Sequence, residues 1–376
     1  MIETPNSKAT DLLSIVDFFA IKGKAVDIVP FGSGHINDTY KVRTELKGGP
    51  NYMLQRINNH VFKNVEHLMH NIELVCNHIK KKLIVSGEKN IQEKTLTPIP
   101  TKEGKLFFRD AKNNYWRIFI LIENTKTYDI VETVQQASEG GRAFGKFQAM
   151  LADLNPHDIY EVIPNFLNIA SRLRDFKEAT NKNAAKRLAE VLLEVDFIQH
   201  RENKMNTILN MASKSQIPLR ITHNDTKFNN VLLNKEDRAQ CVVDLDTVMP
   251  GYVAYDFGDA IRTIINSAAE DEADLDKIKL NIPLFEAYTV GYLETARHFL
   301  YPMEINSLVD GVLLLPYMQM IRFLTDYLNG DTYYKISHPT HNLQRTKAQM
   351  RLVIEIEKHE QLLRDIVKKA ANVYLS

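Results

Sequence analysis

The chain has 376 residues, 44% of them apolar and 25% charged, the balance of a soluble globular protein long enough for two lobes. Lysine plus arginine and aspartate plus glutamate both number 47, so the formal net charge is zero, which argues against a nucleic-acid or polyanion binder. The two cysteines, Cys76 and Cys241, lie far apart in apolar company; this argues against a disulfide framework or a cysteine metal site and fits a reducing cytoplasm.

The N-terminus is polar and then amphipathic, with no basic stretch leading into an apolar one, so neither a signal peptide nor a bilayer-spanning run is expected. Residues 12–19 predict a short helix with Thr10 or Asp11 as its cap. "AVDIVPFGSGHINDTYKVRT" reads as strand, glycine turn (Gly32, Ser33, Gly34), strand, and "NYMLQRI" as a third strand. Val65, Leu68, Met69, Ile72, Val75 and Ile79 recur at helical spacing, so an amphipathic helix follows. "KLFFRD" and "YWRIFILIEN" are two further strands. Beyond Asn124 the pattern turns helical, with long helices expected over residues 137–154 and 181–212 and again after about Ile282. One β island interrupts them, made of "ITHNDTKFNNVLLN" and "AQCVVDLD". The order describes an α+β chain, a small β-rich N-lobe over residues 1–123 and a larger, mainly helical C-lobe over 124–376.

The β island carries the chemistry. Asn230 follows Asp225 by five residues, the register of a phosphoryl-transfer loop. In that template the Asp receives the acceptor hydroxyl and the Asn holds Mg²⁺. Lys227 lies between them and can reach a transferring phosphoryl group, while His223 supports the loop. An Asx turn or helix cap is the plain alternative. The context favours chemistry: strand, turn and strand follow, and the second strand ends in Asp244, the position of the metal-binding acid. Asp246, two residues on, either shares the metal or is solvated. Asp256-Phe257-Gly258 spells a kinase motif but opens a helix, so Asp256 is read as a helix N-terminal acid that braces the loop. In the N-lobe the Gly32–Gly34 turn is placed to drape backbone N–H groups over phosphates, and Glu66 and Glu73 are candidate partners for a phosphate-binding cation.

"FGSGHINDTYKV", "YMLQRINNHVFKN", "THNDTKFNNVLL", "VVDLDTVMPGYVAYDFGDAIR" and "RFLTDYLNGDTYY" resemble blocks of the aminoglycoside phosphotransferase/choline kinase superfamily, most closely its N-acetylhexosamine 1-kinase branch. The resemblance implies a bilobal protein-kinase-like fold with ATP in the cleft. It implies Mg²⁺-dependent transfer of the γ-phosphoryl to the anomeric hydroxyl of an N-acetylhexosamine. Asp225 falls on the catalytic aspartate, Asn230 and Asp244 on the metal ligands, and Glu123 and Asn124 on the adenine-reading linker. Arg322 and Tyr333 fall on the sugar pocket, although helix packing and capping account for them equally well. One departure stands out: the third strand carries Gln55 and Arg56 where most kinases have a lysine. Arg56, Lys41 or Lys227 is then expected to supply the missing charge.

A protein kinase is disfavoured, because only nine residues separate Asp246 from Asp256, too few for an activation segment. An aminoglycoside or choline kinase shares the machinery but needs carboxylates or an aromatic cage for a cation. A non-catalytic nucleotide-binding scaffold is the alternative of another class, favoured by Gln55 and opposed by Asp225, Asn230 and Asp244. His338 and His341 lack the third ligand a catalytic zinc needs and read as a turn before a helix.

Overall fold

The computed structural model describes residues 12–32, 36–266 and 268–372; Thr10, Asp11, Ser33 and Gly34 lie outside the described residues. The chain divides into two compact units. Unit 1 takes the chain up to Thr125 together with His157–Pro164 and Gln240–Val248, and unit 2 takes the rest. The first crossing therefore falls at Thr125–Lys126, and two later segments return to unit 1.

In unit 1 a short helix, α1, over residues 12–16 precedes β1 (Ala25–Pro30), β2 (Asp38–Thr44) and β3 (Tyr52–Ile57). After α2 (Val65–Val85) come β4 (Pro98–Ile99), β5 (Phe108–Arg109) and β6 (Tyr115–Ile120). They form one antiparallel sheet in the order β1-β2-β3-β6-β4, with β5 beside β6. The expected "KLFFRD" strand shrinks to two residues, and β4 is too short for any period to reveal it. Side chains alternate across the sheet. Val42, Tyr52, Leu54, Trp116 and Ile118 share one face and bury against Leu12, Val16 and Phe19 of the N-terminal helical segment. Gln55 and Arg117, opposite each other in register, take the other face.

Helix α2 starts at Asn64, whose side-chain oxygen accepts from the His67 N–H at 3.0 Å. Its buried Asn71 explains the two returning segments: the amide nitrogen donates to Tyr160 O (2.8 Å) and Val248 O (3.1 Å), and the oxygen accepts from Tyr160 N (2.9 Å). Leaving these groups unpaired away from water would cost more than the bonds gain, so the segments stay with α2.

Unit 2 contains α3 (Val134–Leu151), α4 (Ile169–Lys182), α5 (Leu192–Met205) and α6 (Thr207–Ser213), then β7 (Arg220–Thr222) and β8 (Val231–Leu233). β9 (Ala239–Val242) carries the chain back to unit 1. β10 (Met249–Gly251) pairs with β7, and α7 (Val253–Ile264), α8 (Ile282–Ala296), α9 (Pro302–Asn329) and α10 (His341–Asn372) complete the unit. The single helix expected over 181–212 is broken. Asn183 (φ 42°) and Lys186 (φ 59°) take left-handed backbone, and α5 ends at Asn206.

Helix α9 is long and apolar enough to cross a bilayer, contrary to the sequence-based expectation, but 78% of its most apolar window is buried inside the protein. It is the hub on which α4, α7 and α10 pack. A Cβ on Gly258 of α7 would stand 2.3 Å from Gly311 O of α9, and one on Gly311 1.8 Å from Ala254 O. Glycine at both positions lets the backbones touch, and this contact seats α7 and its acids.

Candidate active site

The loop after β7 is held from below by α7. Asp256 accepts from the backbone N–H of His223 (2.7 Å) and of Asn224 (2.7 Å), and from Gln148 Nε2 (2.6 Å). Asp259 accepts from Thr226 N at 2.9 Å, and Thr226 Oγ1 donates to Asp256 O at 2.7 Å. Burial pushes the Asp256 carboxyl up, while His223 and the loop N–H groups pull the other way. Asp256 thus braces the loop, and Asp256, Phe257 and Gly258 are all buried. His223 is fully buried against Phe144 and Phe147, and its Nδ1 accepts from Asp225 N at 3.3 Å.

On that base the loop assembles three polar groups. Lys227 Nζ lies 3.1 Å from Asp225 Oδ2. Asn230 Nδ2 donates to Asp225 O (2.8 Å) and, at 3.3 Å, to Asp225 Oδ2. With the amide nitrogen committed to Asp225, the Asn230 oxygen is the atom left to meet a cation. Oxygen donors from Asn and Asp suit a hard cation such as Mg²⁺, which commonly takes one or two protein oxygens and completes its shell with phosphates and water. Among the described residues no group of three or more His, Cys, Asp or Glu could hold a metal ion. His341, a zinc candidate on paper, instead meets Asp271 at 2.9 Å at the start of α10.

In unit 1 the residues that the resemblance assigns to the nucleotide lie in and beside the sheet. Gly32 has left-handed backbone (φ 79°), as a glycine turn requires. Glu123 accepts from Lys41 (3.0 Å) and from Asn51 (3.0 Å), and Asn124 turns the chain at φ 59°. Asp244, also left-handed at φ 58°, ends the β9 segment. Asp246 is not solvated: it is buried and ion-paired with Arg117. Glu66 and Glu73 are exposed, so neither is the buried acid of this unit.

Each cation expected to compensate for Gln55 has an acidic partner. Arg56 is one residue along the strand and so on the opposite sheet face, where it pairs with exposed Asp38 (Nε–Oδ2 2.7 Å). Lys41 is committed to Glu123 and Lys227 to Asp225. The cation beside Gln55 is Arg117, which the sequence reading missed. Its signal was a lone arginine inside an apolar strand, since such a charge is buried only when paired. Arg56→Ala is accordingly expected to change KM for ATP by no more than about twofold, the effect of losing an exposed ion pair; steady-state kinetics at varied ATP measures it, and a tenfold rise would return Arg56 to the phosphates.

Residues 27–292, well over half of the chain, match the family model for phosphotransferase enzymes, APH. The chain belongs to the phosphotransferase enzyme family. Similar solved structures include a microcompartment-associated aminopropanol kinase (14% identity, TM-score 0.63, covering 94% of this chain and 98% of that one). An aminoglycoside phosphotransferase from Alicyclobacillus acidocaldarius is 12% identical with TM-score 0.59, covering 95% of each chain. A choline kinase from Cryptosporidium parvum Iowa II is 14% identical with TM-score 0.53, covering 97% and 99%. At these identities the likeness concerns the fold, which is the protein-kinase-like one expected from the sequence.

Within unit 2 this phosphotransferase has a cavity of about 310 Å³ between α4, the end of α9 and the loop after it. Arg322 and Tyr333 both line it. Tyr333 is 74% exposed, whereas its neighbour Tyr334 buries its hydroxyl without a hydrogen-bond partner and packs its ring beneath Arg322. Arg172 and Thr325, missed in the sequence, also line the cavity, and Arg172 Nε and Thr325 Oγ1 are buried without partners. Burial, and then the nearby Arg322 charge, lower the affinity of Arg172 for its proton. Of the two acids in the wall, Asp175 lies 3.9 Å from Arg172 Nη1, and Asp326 is saturated: it accepts from the N–H groups of Thr332 (2.9 Å), Tyr333 (2.8 Å) and Tyr334 (2.9 Å) and from Asn342 Nδ2 (2.9 Å). A larger cavity of about 820 Å³ in unit 1 is lined by Lys63, Glu66, Lys102, Lys105 and Arg109 among others.

Proposed function

We propose that this phosphotransferase is a kinase that moves the γ-phosphoryl of ATP to a neutral sugar, at the anomeric hydroxyl of an N-acetylhexosamine. The observation that carries the acceptor class is the 310 Å³ cavity, which offers two guanidinium groups and two unpartnered hydroxyls, with one of its two acids, Asp326, held by the loop and the other, Asp175, 3.9 Å from Arg172 Nη1. A cationic acceptor such as an amino alcohol or aminoglycoside needs acids or an open aromatic face. Here Asp326 is consumed by the loop, Asp175 faces the Arg172 guanidinium, and Arg322 covers Tyr334, which leaves Tyr333 as a single open ring rather than a cage. Sugar hydroxyls and an acetamido carbonyl are the acceptors those donors want.

In this reading the Asp225 carboxylate orients the acceptor hydroxyl and takes its proton as the oxygen bonds to phosphorus. Lys227 offsets phosphate charge. Asn230 and Asp244 are each proposed as Mg²⁺ ligands, and Mg²⁺ would supply neutralisation of the triphosphate. Glu123 and Asn124 are proposed to face the adenine, and the Gly32 turn the phosphates.

The test is product analysis after incubation with ATP, Mg²⁺ and panels of N-acetylhexosamines, amino alcohols and aminoglycosides. A phosphorus resonance coupled to the anomeric proton supports the proposal; product on the 6-hydroxyl, or turnover of amino alcohols alone, overturns it. ATP binding with no turnover of any acceptor would favour the scaffold reading. Arg322→Met is expected to raise KM for the sugar by about 10- to 100-fold, the loss of a hydrogen bond from a charged donor, with KM for ATP unchanged.

A further inference from the structure

We propose that Arg117 takes the place of the missing third-strand lysine as a positioning residue: through Asp246 it holds the turn that presents Asp244. The inference rests on the reading of Asp244 as a metal ligand and concerns only residues of unit 1.

The arrangement begins with register. Gln55 on β3 and Arg117 on β6 are direct cross-strand partners on the same sheet face. Arg117 Nε donates to Gln55 Oε1 at 2.9 Å, and Gln55 Nε2 donates to Thr39 Oγ1 at 3.1 Å. A guanidinium can only donate, so the amide oxygen must face it. A lysine at position 55 would set a second cation against a buried arginine. The neutral glutamine and the arginine across from it therefore belong together as one solution, with the cation moved one strand over.

The acid has moved too. Helix α2 turns Met69, not a glutamate, toward the guanidinium, with Sδ 3.9 Å from Nη1. The carboxylate comes instead from Asp246, two residues beyond Asp244. Arg117 Nη2 donates to Asp246 Oδ2 at 2.9 Å, and Nη1 lies 2.6 Å from Oδ1, an ion-pair contact outside hydrogen-bonding angles. The two side chains are only 2% and 5% exposed. Asn37 adds a bond of 2.7 Å from Nδ2 to Asp246 Oδ2, and its own Oδ1 accepts from Asn58 N at 3.0 Å. The network thus joins the start of β2, the end of β3, the middle of β6 and the segment after β9.

The effect reaches Asp244 through the backbone. Asp244 has φ 58° and ψ 59°, a left-handed conformation that a non-glycine residue keeps only where its surroundings impose it. Its follower Leu245 is buried and Asp246 is clamped by two side chains, so the far end of the turn cannot move. Arg117 itself is too buried to be a phosphate ligand of the lysine type; it aims the residue that is proposed to bind metal.

The experiment uses the full chain and needs no acceptor. Mn²⁺ binding in the presence of ADP is followed by electron paramagnetic resonance, with metal-free ADP affinity measured in parallel by calorimetry. Arg117→Met alone leaves a buried carboxylate unpaired and risks unfolding, so Arg117→Met/Asp246→Leu removes both charges and fills the site with apolar side chains. The double variant is expected to melt cooperatively and to bind metal-free ADP within about threefold of the parent, yet to lose tenfold or more in Mn²⁺ affinity. Arg117→Lys is expected to recover part of that loss. Mn²⁺ affinity within twofold of the parent in the double variant overturns the proposal. So does an equal loss of metal-free ADP affinity, which would make Arg117 a phosphate ligand. A parent chain whose ADP binding ignores Mn²⁺ would overturn the metal reading itself, a separate result from either.

Discussion

Asp225→Asn is expected to lower kcat by about 10²–10⁴, the usual worth of a positioned general base, while leaving nucleotide affinity within about threefold. The substitution is nearly isosteric and removes the proton-accepting charge and its attraction for Lys227. It does not remove what shapes the loop. The bonds that fix the backbone run from His223, Asn224 and Thr226 to Asp256 and Asp259, and Asn230 also bonds the Asp225 carbonyl, which the variant retains. A fall in rate would therefore report lost orientation and proton acceptance, not a collapsed loop. Initial rates at saturating ATP, set beside the affinity for ADP, separate the two. A variant within threefold of the parent rate would move the base elsewhere; a collapse of ADP affinity would show that the side chain holds the loop after all.

The second large effect sets Asp244 against Asp256, the two acids that compete for the metal role on sequence grounds. Asp244→Asn keeps a residue that tolerates left-handed backbone and is expected to cut turnover by roughly 10²–10³, the several kcal/mol that metal neutralisation of phosphate charge provides. Its melting temperature should stay close to the parent's. Asp256→Ala should do the reverse. It strips the acceptor from two backbone N–H groups and from Gln148, all buried, at a cost on the order of 2–4 kcal/mol. Activity would then fall only with the folded fraction. Kinetics and urea melts on the same preparations decide it: a stable Asp256→Ala chain with no turnover would hand the metal role to Asp256.

Much of this was legible in the linear chain because it depends on short-range order. The spacing of Asp225 to Asn230, the strand just before Asp244 and the helical-period stripe of α2 are local patterns, and local geometry follows from them. The helix-opening position of Asp256 was readable for the same reason, since Pro250 and Gly251 stop what precedes it. The expected helix over 181–212 failed because its apolar period continues through Asn183 and Asn206, where cap geometry, not period, ends a helix. What the sequence could not decide is which charges meet. Arg56 and Arg117 are both arginines on strands, and only the fold leaves one exposed with Asp38 near the end of its strand and buries the other with Gln55 and Asp246. Asp326 looks like a pocket acid in the chain and is spent on three backbone N–H groups and an asparagine in the fold. Hydrogen-bond saturation and ion pairing depend on which strands and loops come to face each other, from 6 residues apart at Asp326–Thr332 to 129 at Arg117–Asp246, so the tertiary structure decides them: they choose which arginine is buried and which acid lining the cavity is spent.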